Sequence, residues 1–151
     1  MLTDALLAFF HFIAIFVLVM LMAAEAVVLR PDLTPAALRR LSIYDLSYFL
    51  AAIAVLVSGL LRLFYGAKGV DFYVHNPWFH AKMTVFVLIA LCSLPPTLAI
   101  ARWRKQARTL PEFVPTPAEI KRARRWVMIQ AHVLILLPLC AVMMARGIGA
   151  R

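Results

Sequence analysis

The chain has 151 residues, of which 64% are hydrophobic and 15% charged, and its mean hydropathy is +0.88. Soluble domains are typically about 45 to 50% apolar, so this composition excludes a soluble globular protein and indicates a membrane protein. The net charge of +9 comes mainly from basic clusters between apolar segments, which indicates topology signals and contact with anionic headgroups rather than nucleic-acid binding.

Four apolar segments are each long enough, at about 20 residues, to cross a hydrocarbon core of ~30 Å. They are Ala5 to Leu29, Leu46 to Tyr65, Trp78 to Ala101 and Trp126 to Ala145. Their hydrophobicity is continuous rather than alternating, which predicts helices and excludes a barrel. We therefore expect an all-α, integral membrane four-helix bundle that forms one domain over residues 1–151.

Prolines predict where helices begin and where they bend. Thr34 followed by Pro35 combines an N-cap with a helix-starting proline, which predicts a short interfacial helix over Pro35 to about Leu41 before span two. Thr116-Pro117-Ala118-Glu119 has the pattern of a capping box, so the fourth helix is predicted to begin near Pro117. Kinks are predicted at Pro95-Pro96 in span three and at Pro138 in span four.

Polar residues inside the spans form two predicted layers. The layer nearer the two chain termini contains His11, Arg62, Lys82 and His80, at ~9, ~9, ~12 and ~15 Å from the bilayer centre. The second layer, in the other half, contains His132, Gln130 and Glu25 at ~5, ~8 and ~12 Å. His80 and Lys82 are about 200° apart on one helix, so both cannot face the bundle centre. Because the first layer has no acidic partner, it is predicted to bind an anion or a cofactor.

His11 is the strongest candidate because imidazole is the usual haem ligand and titrates near neutrality, so it is predicted to ligate iron or relay protons. Its alternative role is an interhelical hydrogen bond, and the same alternative applies to His132 and Glu25. For Lys82 and Arg62 the alternative is snorkelling to the headgroups. His11 and His132 are separated by ~14 Å along the bundle, too far to share one metal.

Two motifs carry a resemblance to a known family. Phe10-His11-Phe12-Ile13-Ala14-Ile15 in span one and Trp78-Phe79-His80-Ala81-Lys82 at the start of span three resemble HemJ-type protoporphyrinogen IX oxidases, small bacterial four-helix membrane proteins. In that family a first-helix histidine and a third-helix lysine are the functional pair, and haem b is the associated cofactor. The resemblance implies catalytic and cofactor-binding roles for His11 and Lys82, iron ligation by His11, and a multi-pass location in the bacterial inner membrane.

Other segments depart from the oxidase pattern. The residues that follow span-one His11 lack the family's Trp, Gly and Pro-Arg, and Cys92-Ser93 stands where a Tyr-His pair is common. Gly59 to Gly69, the His-Asn-Pro segment at His75 and Ser93 to Leu98 are more similar to a sister family of uncharacterised membrane proteins. For that family the resemblance implies an architecture but no activity.

These features together predict a haem b-binding oxidoreductase that acts on a porphyrin-like or quinone-like substrate, with Arg62, His80 and His132 as further cofactor-binding residues. The alternative is a non-enzymatic transport or scaffold protein whose basic layer binds an anion or a lipid headgroup. Membrane lipids are expected partners in both cases and nucleic acid in neither. The small residues of span two are compatible with a homo-oligomer as well as with a neighbouring helix: Ala51, Ala52, Ala54, Ser58 and Gly59.

Loop charge predicts the orientation. Basic residues between spans three and four are Arg102, Arg104, Lys105, Arg108, Lys121, Arg122, Arg124 and Arg125, and Arg30, Arg39 and Arg40 lie between spans one and two. The middle loop has only Lys68. Since basic loops stay in the cytoplasm, both termini are predicted to be periplasmic.

A fusion of alkaline phosphatase to the C-terminus tests this orientation. We expect the fusion to be active, because the C-terminus is predicted to be periplasmic. Activity of a C-terminal reporter that works only in the cytoplasm would show that the orientation is the reverse.

Overall fold

The computed structural model describes residues 2–67 and 69–148, which form six α-helices and no strand. The helices are α1 (Leu2–Val28), α2 (Pro35–Tyr65), α3 (Gly69–Val74), α4 (Pro77–Thr109), α5 (Pro117–Leu134) and α6 (Leu136–Ala145). Four helical segments of this part of the chain are long and apolar enough to cross a membrane: α1, α2, α4 and the α5–α6 pair. The predicted all-α architecture with four spans is therefore confirmed.

The first loop differs in one respect from the prediction. A helix does begin at Pro35, and the Thr34 hydroxyl accepts a hydrogen bond from the Ala37 N–H as an N-cap should. It does not end near Leu41, however, because α2 continues without a break to Tyr65. Leu38 and Leu41 are buried in the same core as residues of the membrane span. The segment after Pro35 is therefore part of the second span's helix and not a separate interfacial helix.

The fourth span begins where its sequence predicts and is interrupted close to the proline at which a kink is predicted. The Thr116 hydroxyl accepts from the Glu119 N–H and the Glu119 carboxylate accepts from the Thr116 N–H, which completes the capping box. The helix is interrupted at Ile135, between α5 and α6. Pro138 has no N–H for the carbonyl of Leu134, which explains the interruption. By contrast, α4 stays helical through Pro95 and Pro96.

The middle loop contains a short helix, α3, that the sequence reasoning did not predict. Asn76 then caps α4, since its side-chain oxygen accepts a hydrogen bond from the Trp78 N–H. Lys68, the basic residue used to predict the orientation, lies outside the described residues.

The bundle consists of two helical hairpins, α1–α2 and α4 with α5–α6. We call the end with loops 29–34 and 110–116 the basic-loop end, and the opposite end the terminal end. The fully buried side chains concentrate at the basic-loop end, among them Trp103, Leu29 and Leu41. The Arg124 guanidinium also donates to the Leu29 carbonyl at 3.1 Å and thereby ties α5 to the end of α1. The hairpins are therefore joined most firmly at this end.

Side chains that point away from the bundle are large and apolar, for example Phe12, Phe16, Phe49 and Leu98, each more than half exposed. In water such a surface would aggregate, whereas in a bilayer it contacts acyl chains. The chain is therefore a multi-pass membrane protein.

Candidate functional site

His11 is held by a hydrogen bond that defines its tautomer. The side chain is only 4% exposed, and its Nδ1 lies 2.8 Å from Ser58 Oγ on α2. Ser58 Oγ is also 2.6 Å from the Ala54 carbonyl oxygen, to which its single hydrogen is donated. Donation along this contact, which is shorter than the 3.2 Å to the Val55 carbonyl, leaves Ser58 to accept from Nδ1–H of His11. We therefore assign the proton of His11 to Nδ1 and its free lone pair to Nε2; the imidazole also interacts with the backbone of Val55.

Gly59 provides the space in which the imidazole lies. A Cβ atom on Gly59 would lie 3.4 Å from His11 Cε1, at the near limit of ordinary contact. The small residues of span two at this level therefore serve the contact between α1 and α2 within one chain.

A small cavity of about 70 Å³ adjoins the imidazole. His11 and Gly59 line one side, and Lys82 and Met83 line the other. The structure thus brings together the first-helix histidine and the third-helix lysine that the sequence motifs indicate.

Lys82 and Arg62 make this region positively charged. Both lie near enough to His11 to interact with it electrostatically, and Arg62 also interacts with Lys82. Neither forms an ion pair with an acidic group of the described residues, and the Arg62 Nε is buried without a hydrogen-bond partner. The predicted cluster of two cations and one histidine without an acid is therefore present in the structure. Such a cluster attracts an anionic group.

A second, larger cavity of about 320 Å³ lies between the two hairpins. It shares Val55, Leu56 and Phe86 with the small cavity, so the two adjoin. Its walls are mostly aliphatic and aromatic, with Tyr48 and Thr97 among the few polar residues. This volume and this lining are typical of sites for small apolar ligands, which occupy about 300 to 1,000 Å³.

The structure does not bring His80 or His132 to His11. His80 is exposed, and its Nε2–H donates to the Val74 carbonyl at the end of α3 at 2.8 Å. His132 is also exposed, and its Nδ1–H donates at 2.6 Å to the Met128 carbonyl of its own helix. Neither lines the two cavities described above. The cofactor-binding roles predicted for these two histidines therefore receive no support from the geometry.

The second polar layer contains more residues than the sequence reasoning predicted. Besides Glu25 and Gln130 it includes Asp45 and Tyr48 of α2, which that reasoning missed. The Tyr48 hydroxyl donates to Gln130 Oε1 at 3.1 Å, and the Thr97 hydroxyl donates to Asp45 Oδ1 at 2.7 Å. Asp45 directly precedes the apolar run that predicts span two, Leu46 to Tyr65. The helix start at Pro35 was the signal that could have placed it inside the bundle.

The chain belongs to the DUF2214 family, described as a predicted membrane protein, whose family model matches residues 3–149. No curated protein and no solved structure matches the chain. The predicted membership of an uncharacterised membrane family is confirmed, whereas the relation to HemJ-type oxidases stays a prediction.

The tautomer of His11 can be tested by ¹⁵N NMR of histidine-labelled protein. We expect Nδ1 to carry the proton in the wild type, because Ser58 accepts from it. Ser58→Ala should increase the share of the other tautomer and lower the free energy of unfolding by about 1 kcal/mol, the net value of one hydrogen bond.

Ser93→Ala is the matched control for this experiment, since the Ser93 hydroxyl also donates to a carbonyl of its own helix, that of Ala90, without contacting His11. A wild-type His11 protonated on Nε2 would contradict the assignment.

Proposed function

We propose that this member of the DUF2214 family is a haem b-binding oxidoreductase of the bacterial inner membrane, related to HemJ-type protoporphyrinogen IX oxidases, that acts on a porphyrin-like or quinone-like substrate. The observation that carries the proposal is the buried His11, whose Nδ1 lies 2.8 Å from Ser58 Oγ and which lines the small cavity together with Lys82. Ligating histidines are typically oriented in this way, through a hydrogen bond on the second ring nitrogen.

The residues around His11 fit a haem in their chemistry. His11 would provide a nitrogen ligand to the iron, and Lys82 and Arg62 would hold the propionates, since both are cations without an acidic partner among the described residues. The absent side chain of Gly59 leaves space at the imidazole edge. The larger cavity offers apolar surface to a ring system. Bound haem would supply one-electron redox chemistry.

The protein's own residues would bind and orient the substrate. Lys82, which lines the small cavity and has Arg62 nearby, would hold an anionic oxygen of the substrate where it does not hold a propionate. The apolar walls would exclude water, which strengthens those charge contacts. If His11 is not a ligand, its unprotonated Nε2 is suited to accept a proton from a substrate carbon or hydroxyl.

The alternative is a non-enzymatic transport or scaffold protein in which the same cluster binds an anion or a lipid headgroup. One observation favours it: the cavity beside His11 is about 70 Å³, which suits a small anionic group better than a flat macrocycle. Under this alternative the larger cavity would hold an acyl chain.

Absorbance spectra of the purified protein distinguish the two proposals. We expect a Soret band that shifts on reduction by dithionite, either as isolated or after titration with haemin. His11→Ala should abolish or strongly shift that band, because the iron would lose its nitrogen ligand. His75→Ala should leave it unchanged, since His75 is exposed and is paired with Asp71 in the middle loop.

A folded, colourless protein that does not bind haemin would contradict haem binding and favour the alternative. Full haem binding by His11→Ala would show that His11 is not the ligand.

Lys82 should contribute to affinity rather than to stability. Lys82→Met keeps the apolar stem, so we expect the fold to be retained and the affinity for haemin or protoporphyrin to fall roughly ten- to a hundredfold, as for a hydrogen bond to a charged group. Lys82→Arg should recover part of the loss, because it restores the charge but not its geometry.

Lys105→Met is the control, because Lys105 is exposed on the last turns of α4. If the wild type and both Lys82 variants bind haemin or protoporphyrin with equal affinity, Lys82 contacts lipid headgroups and does not bind the ligand.

A further inference from the structure

Glu25 of α1 is a buried acid without a partner. Its side chain is 4% exposed, its Oε1 is fully buried, and no described residue donates a hydrogen bond to it. An ionised carboxylate in such a place loses the hydration of its charge and gains nothing in return. Something must therefore neutralise Glu25.

The described groups that interact with Glu25 supply no positive charge. On α2, Asp45 and Tyr48 both interact with it electrostatically. On α5, Arg124 donates to the Leu29 carbonyl, one helical turn further along, and forms no ion pair with Glu25. On α4, Cys92 accepts a hydrogen bond from Gln130 through its carbonyl oxygen. Glu25 thus faces a second acid and neutral polar groups.

The hydrogens of these neutral groups are already committed. The Thr97 hydroxyl donates to Asp45, and the Tyr48 hydroxyl donates to Gln130. Among the described residues, the carboxyl groups of Glu25 and Asp45 therefore accept only one hydrogen bond from a side chain, the one that Thr97 donates to Asp45. Like charges held close in a low dielectric favour the protonated form of one of them.

A metal ion is a poorer explanation for the pair. Within residues 2–67 and 69–148, no cluster of three or more histidine, cysteine or acidic side chains is arranged to hold a metal. A proton needs only one lone pair, whereas Na⁺ or Ca²⁺ requires several oxygen ligands directed at one point.

We propose that Glu25 and Asp45 form a proton-binding site inside the membrane, and that Tyr48 and Thr97 connect this site to the larger cavity. The binding step is addition of one proton from solvent or from a cavity ligand to a carboxylate oxygen of Glu25, which gives a neutral carboxylic acid. Tyr48 and Thr97 line the larger cavity and contact the layer that contains both acids. A cavity ligand that gains or loses a proton can therefore exchange it here. The proposal does not depend on haem.

Infrared spectroscopy of the protein in lipid vesicles tests the site directly. At neutral pH we expect a carbonyl stretching band of a protonated carboxyl group, which shifts when the glutamates carry a ¹³C carboxyl label. This measurement needs no variant. Glu25→Gln should remove the band, Asp45→Asn should shift it, and Glu112→Gln in the exposed loop should leave it unchanged.

Absence of a protonated carboxyl band from the wild type at neutral pH would overturn the proposal, as would an unchanged band after labelling. A band that appears only when Na⁺, K⁺ or Ca²⁺ is withdrawn would show that a cation occupies the pair instead. If Glu25→Gln does not fold, the labelling result decides alone.

Discussion

The lack of water in the bilayer is the constraint on which the rest of this structure depends. A polar group within the hydrocarbon must find its partner in the bundle, remain unpaired at a cost, or bind something else. Most polar side chains here find partners: His11 on Ser58, Tyr48 on Gln130 and Asp45 on Thr97. Among the buried groups that lack a hydrogen-bond partner, Arg62 lies in the basic region and Glu25 in the acidic region.

These two regions lie in opposite halves of the bundle, and the packing explains why a cavity separates them. The hairpins meet tightly at the basic-loop end, where Trp103, Leu29 and Ile120 are almost fully buried. Further towards the terminal end, two adjoining cavities lie between α2 and α4. An elongated amphiphile would fit this arrangement, with its anionic group near Lys82 and its apolar body between the hairpins.

His80 and His132 show that the depth of a residue in the membrane does not determine the direction in which its side chain points. His80 and His132 lie at plausible depths for a cofactor, but each uses a ring nitrogen to bond a backbone carbonyl at the exterior of the bundle. Direction also explains why Asp45 and Tyr48 were missed. At the edge of an apolar run they look like interfacial residues, yet the helix that begins at Pro35 turns both towards Glu25 and Gln130.

The sequence by itself determined the four spans, the starts of the helices at Pro35 and Pro117, and the interruption before Pro138. It also separated the basic layer from a second polar layer that contains Glu25. These features depend on hydropathy and on residues within a few positions of each other, so local chemistry is enough. Only the tertiary structure decided which polar groups meet. Contacts such as His11 with Ser58, 47 positions apart, depend on how each helix is rotated and paired, because side-chain packing along the whole bundle sets those two quantities.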